Sequence, residues 1–276
     1  MKYYTTSFLT TIKWLPFLIV SMAVFSSCQK VIHIDLNSAE KKYVIEAIIT
    51  DQPGTAQVLI TQTKNFEEDN NFPGISGAIV TISENGGNPV TLTESSPGKY
   101  EATTLTGTSG KTYSLSVSAG GKTFTAVSTM PQKVNLDTIF VTDELLFTDT
   151  RKIVNTVYHD PPGRGNNYRF IQYINNKKGN QIIINNDDYT DGRTVYNKLF
   201  YFPDDNDSDK IKSGDTVRID MLCIDANIYK YWFSLDRSST GGSGQATPSN
   251  PVSNLQGGAL GYFSAHTLQT KTMLVP

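Results

Sequence analysis

Histidine is scarce in this chain, with three residues in 276. None of the three sits in an H-E-x-x-H pattern, and no serine occupies a G-x-S-x-G elbow. His33, His159 and His266 fall in a leader, a loop approach and a strand junction. Catalysis needs a nucleophile, a base and an orienting group that converge, and these positions do not offer that. His159-Asp160 before Pro161-Pro162 places a base beside an orienter, but a loop pair is the simpler reading. Gly242-Ser243-Gly244 reads as loop flexibility. Acids paired only in space leave no sequence signature, so a carboxylate-pair hydrolase stays a remote alternative. The expectation is a protein that is not an enzyme and carries no cofactor.

Charge of one sign is also missing. Lys and Arg number 24 against 26 Asp and Glu, a formal net charge of -2. That balance excludes a nucleic-acid partner or an anionic lipid surface held by charge alone. Long apolar runs are absent after residue 25, so no later segment is expected to span a bilayer. Cysteine is limited to Cys28 and Cys223.

The leader is where the chain departs from this blandness. Lys2 and Lys13 precede an apolar run from Trp14 to Phe25, followed by Ser26, Ser27 and Cys28. A positive start, a short apolar core and a small-residue exit describe a signal peptide over residues 1–27. A cysteine directly after that exit resembles a bacterial lipobox, with Phe25 where leucine is more usual. Acylated Cys28 would be the first residue of the mature protein, and several acyl chains on one residue anchor stably. Cys223 would then have no partner in the chain, so stability must come from core burial. Cys223 itself lies in the apolar segment Met221-Leu222-Cys223-Ile224, where a buried inert thiol is expected. Residues 28–42 read as a lipidated tether, Val31 to Leu36 alternating loosely between apolar and polar.

Beyond the tether, period-two segments recur every ten or so residues. Strands are expected over 43–50, 56–63, 77–83, 89–93, 99–102, 111–119 and 122–129. Turn chemistry separates them: Asp51-Gln52-Pro53-Gly54, Asn85-Gly86-Gly87-Asn88, Ser95-Ser96-Pro97-Gly98 and Gly120-Gly121. The pattern predicts a mainly β protein whose residues 43–130 form an immunoglobulin-like β-sandwich without the antibody cysteine pair or tryptophan. Met130-Pro131 is read as its end.

Residues 131–276 predict a second β-rich domain. Strands are expected at 138–142, 152–158, 168–174, 181–185, 198–202, 216–224, 258–265 and 267–274. Ile228, Trp232 and Leu235 recur at helical spacing behind Asp225, predicting one amphipathic helix near 226–237 with Asp225 as its N-cap. A Gly/Ser-rich loop follows over 238–251.

The segment Tyr229-Lys230-Tyr231-Trp232, the loop after it, and Asn254-Leu255-Gln256-Gly257-Gly258-Ala259-Leu260-Gly261-Tyr262-Phe263-Ser264-Ala265 resemble one family. So do Cys28 to Leu36 and Tyr43-Val44-Ile45-Glu46-Ala47. The family is the Bacteroidetes outer-membrane lipoproteins grouped as domain of unknown function 4249. The resemblance implies an outer-membrane protein held by its N-terminal lipid, and an accessory role beside a TonB-dependent outer-membrane transporter. It implies no catalytic residues. The expected function is therefore an accessory or ligand-capture subunit, with a structural or adhesive envelope protein as the alternative.

Three sets of residues stand out as candidate sites. Aromatics crowd the second half, and Tyr189 and Tyr231 are the two expected to be exposed for ligand contact. Asp205, Asp207 and Asp209 alternate like the start of a calcium loop, although Lys210 stands where glycine is needed. Asn185-Asn186-Asp187-Asp188 is a still less patterned acidic stretch. Asp137-Thr138-Ile139 and Asp215-Thr216-Val217 match the Asp-Thr-apolar triplet that resembles Bacteroidetes O-glycosylation sites, placing Thr138 and Thr216 as acceptors.

Overall fold

Alternation becomes strand in a computed structural model, which describes residues 40–65, 68–146, 149–200, 210–239 and 249–276. In β1 (Tyr43–Thr50) Ile45, Ala47 and Ile49 are fully buried. In β2 (Ala56–Gln62) the buried residues are Ala56, Val58 and Ile60. Each set shares one face because side chains alternate along a strand. The remaining strands of the first half are β3 (Ile79–Glu84), β4 (Val90–Thr91), β5 (Thr93–Ser96), β6 (Lys99–Ala102), β7 (Thr112–Ala119) and β8 (Lys122–Thr129).

Their pairing reproduces an immunoglobulin order. One layer runs β1-β2-β6-β5 and the facing layer β4-β3-β7-β8, which in immunoglobulin letters is A-B-E-D against C′-C-F-G. A tyrosine corner is present too: the backbone N–H of Thr108 donates to the Tyr113 hydroxyl at 2.8 Å, at the start of β7. Leu115 occupies the position two residues later where antibody domains carry a cysteine. Tyr100, Tyr113, Leu115 and Phe124 fill the space between the layers. The expected strand at 89–93 is in fact two. Leu92 is buried and its N–H donates to Val80, so the chain crosses between layers there and β4 and β5 join opposite sheets. The β7–β8 hairpin turns on Gly120 and Gly121, both with positive φ (56° and 74°), the conformation a type I′ turn requires.

The second half adds β9 (Leu136–Leu146), β10 (Asp149–His159), β11 (Asn167–Ile174), β12 (Lys177–Lys178), β13 (Ile183–Asn186), β14 (Thr194–Leu199), β15 (Thr216–Ile224), α1 (Ala226–Ser239) and β16 (Leu260–Leu274). The final two expected strands, 258–265 and 267–274, are this single β16. No turn residue interrupts it; it changes partner instead. Residues Leu260 to His266 pair in parallel with β1, and Thr267 to Leu274 pair antiparallel with β15. One nine-stranded sheet therefore runs across the division expected at Met130-Pro131, and Phe263 and Ala265 complete the core of the first sandwich. The strand expected at 198–202 lies earlier, in β14, and residues 201–209 fall outside those described.

A second sandwich forms where β11 and β15 face the three-stranded sheet β14-β10-β9. Tyr158, Tyr168, Phe170, Ile219, Met221 and Cys223 belong to its core. Alternate residues of the same strands face the other way. Leu222 and Ile224 cluster with Ile228 of α1, and Ile171, Trp232, Tyr262 and Leu268 pack around them. The helix is thus a lid on the outer face of the long sheet. Asp225 sets its start: one carboxylate oxygen accepts from the N–H groups of Asn227 and Ile228, both at 2.9 Å. The other accepts from the Ser128 hydroxyl and from the Thr129 N–H, fastening the helix start to β8.

Candidate functional site

Two polar assemblies lie in the second half. The first is a cluster of aspartates. Asp160 follows β10, Asp187 follows β13, and Asp191 lies in the turn before β14. The antiparallel pairs β10–β14 and β11–β13 bring these strand ends together. One carboxylate oxygen from each residue lies within 4.8 Å of the others. Asp160 and Asp187 are buried, at 0% and 2% exposure, and Asp191 reaches solvent.

A fixed frame of donors orients each carboxylate. Asp160 Oδ1 accepts from the Tyr168 hydroxyl. Asp187 Oδ2 accepts from the N–H groups of Gly165 and Asn166 at 2.7 and 2.9 Å. Asp191 Oδ1 accepts from the Gly163 N–H at 2.7 Å. The second oxygen of Asp160 is buried with no hydrogen-bond partner. Among the described residues no lysine, arginine or histidine forms an ion pair with any of the three. Burial, and then the charges of Asp187 and Asp191, push the Asp160 carboxyl above the usual carboxylate range. The Tyr168 phenol is pushed up by burial and by that same carboxylate. An arrangement of hard oxygens without an ion-paired cation can hold a proton or a hard cation.

The second assembly lies under α1. The Arg169 guanidinium stacks on the Trp232 ring, 3.3 Å from its centroid. Tyr231 and Tyr262 close around them, with ring centroids 4.8 Å apart, and Trp232 meets Tyr262 at 5.3 Å. Burial lowers the Arg169 pKa and raises the phenols of Tyr231 and Tyr262 to about 12 each. His266, whose Nδ1 lies 2.8 Å from the Ser264 hydroxyl, is lowered to about 4 by burial and then by the nearby Arg169 charge. This is a close-packed seam that docks the helix, with little polar surface left to offer a ligand.

The positions singled out in the sequence scatter. Tyr231 was expected at the surface, but it is 8% exposed and packed on Trp232 and Tyr262. It lies three residues after Ile228, so helix geometry puts it on the sheet-facing stripe rather than opposite it. Tyr189 is 89% exposed, between Asp187 and Asp191. Its loop runs beside α1, where the Asp188 charge contributes, after burial, to raising the Tyr229 phenol. Thr138 and Thr216 are both exposed, in β9 and at the start of β15. Cys223 is free and buried, and burial pushes its thiol up. His159 and Asp160 part company: the exposed imidazole contacts the Thr194 hydroxyl at 3.3 Å, while Asp160 turns inward to Tyr168. Asp205, Asp207 and Asp209 lie outside the described residues, as do Cys28 and His33. The aspartate triad was not expected as a unit. Only the Asn185–Asp188 stretch hinted at it: Asp187 and Asp191 share one turn, but Asp160 is brought to them by strand pairing over a long separation.

Fold and site together define a tandem β-sandwich built on one shared sheet, with a helix lid and an acidic loop cluster. The chain belongs to the family described as Domain of unknown function (DUF4249), whose sequence model matches residues 29–272. No curated protein matches it. Among the described residues no helix is long and apolar enough to cross a membrane.

Proposed function

We propose that this chain is a non-enzymatic lipoprotein of a Bacteroidetes outer membrane, acting as an accessory or ligand-capture subunit of a TonB-dependent transport system. The observation that carries the reading is the leader, in which Lys2, Lys13, the apolar run 14–25, Ser26 and Ser27 lead directly into Cys28. Acyl chains on Cys28 hold the protein at the membrane. Family membership supports the reading through the resemblance of its members to proteins encoded beside such transporters, which is an association rather than a mechanism.

The body supplies surface for capture. Tyr189 and Tyr196, at 89% and 71% exposure, each present a flat apolar face with a polar tip, suited to stacking on a sugar or meeting a protein. Deletion of the gene, followed by growth on single nutrients, tests the reading. Loss of growth on one nutrient, restored by the intact gene, supports a role in uptake. Normal uptake with altered surface adhesion or envelope integrity overturns it in favour of a structural or adhesive protein.

A further inference from the structure

We propose that Asp160, Asp187 and Asp191 bind a hard divalent cation, calcium by preference, and that the ion clamps the 160–167 segment to the 187–193 segment that displays Tyr189. Independently of the transport reading, the geometry points to a ligand in two ways. Three carboxylate oxygens, one from the segment after β10 and two from the turn between β13 and β14, lie within 4.8 Å of one another. Asp160 is wholly buried, and its second oxygen has no hydrogen-bond donor. A buried carboxylate oxygen without a donor is costly, and beside two further carboxylates it calls for a partner.

The hydrogen bonds of the frame sharpen the argument. They occupy one oxygen of each carboxylate: Oδ1 of Asp160, Oδ2 of Asp187 and Oδ1 of Asp191. Among the described residues the opposite oxygen of each has no recorded donor, so three oxygens remain for an ion. An all-oxygen set without sulfur or imidazole selects calcium or magnesium over zinc or copper. Magnesium demands a near-ideal octahedron, whereas calcium accepts irregular sets of six to eight oxygens. Three carboxylates around a partly open site suit calcium, with water completing its shell. Asp191, the exposed member, lies on the side from which an ion enters.

Calcium titration of the chelator-treated mature chain, followed by calorimetry and thermal unfolding, tests this. The expected result is one site with a dissociation constant between about 10⁻⁵ and 10⁻³ M and a raised Tm. Magnesium should give a weaker response. Asp191→Asn keeps an oxygen to accept from Gly163 but removes a charge. It should weaken calcium binding at least about tenfold, and without calcium it should unfold at the same or a higher temperature than the unaltered protein. That second readout separates ion binding from damage to the fold. Two results would overturn the proposal: no heat and no Tm change up to 10 times the weaker limit, or binding that survives Asp191→Asn and Asp187→Asn but disappears on Asp207→Ala. The latter would place the ion in the 205–209 loop instead.

Discussion

Replacing Asp225 with alanine should loosen the helix and the first sandwich together, because one carboxylate serves both. Its Oδ1 caps α1 through Asn227 and Ile228, and losing such a cap costs about 1 kcal/mol. Its Oδ2 accepts from the Ser128 hydroxyl, and Ser128 is only 2% exposed. That hydroxyl already accepts from the Ala265 N–H at 2.9 Å. Stripped of its own acceptor, it becomes a buried unsatisfied donor, at about 1–3 kcal/mol. The combined loss is about 2–4 kcal/mol, which for a body of this size lowers Tm by about 4–8 °C. Urea unfolding, followed by the fluorescence of Trp232, reads it directly, since Trp14 lies in the leader. A double-mutant cycle with Ser128→Ala should give a coupling of at least about 1 kcal/mol. A loss below about 0.5 kcal/mol, or strictly additive effects, would refute the idea that Asp225 joins the two.

Three further outcomes follow from the same geometry. Gly261→Ala should cost about 3 kcal/mol in urea unfolding, because a Cβ there would lie 2.1 Å from the Ile45 carbonyl oxygen at a φ of +99°; an unchanged midpoint would mean β1 and β16 do not pair so closely. His266 takes up its proton near pH 4 in the folded state but near 6.5 when unfolded, so stability falls as pH drops through that window and is unaffected above it. Stability curves at pH 7 and pH 4 should therefore differ by about 3 kcal/mol more in the unaltered protein than in His266→Gln. Cys28→Ser should move the protein from the membrane fraction to the soluble fraction, read by fractionation and by the absence of acyl mass; retention in the membrane would remove the lipid anchor from the account.

The sequence was most legible where local chemistry decides structure. Tyr113, Leu115 and Val117 alternate with serines, and Gly120-Gly121 can hardly be anything but a tight hairpin. Asp225 announced its helix because capping is a local event. Legibility failed where the outcome depends on what lies across the sheet. Nothing local tells β16 to leave β1 for β15 at His266, so its two halves looked like two strands and the sandwiches looked like separate domains. Tyr231 was expected on the helix face away from Ile228 and Trp232, whereas it packs with Trp232 and Tyr262 on the buried side. The aspartate triad was hidden for a related reason. Asp160 and Asp187 are far apart in the chain, and the pairings of β10 with β14 and of β11 with β13 make them neighbours.

The central claim is that this protein works at the outer membrane together with a transporter. A mild-detergent pull-down of the tagged protein from native outer membranes, followed by mass spectrometry, tests it most directly. The account predicts a TonB-dependent transporter recovered in stoichiometric amount and lost with Cys28→Ser. Recovery of the tagged protein alone, from membranes where other known complexes survive the same detergent, would contradict it.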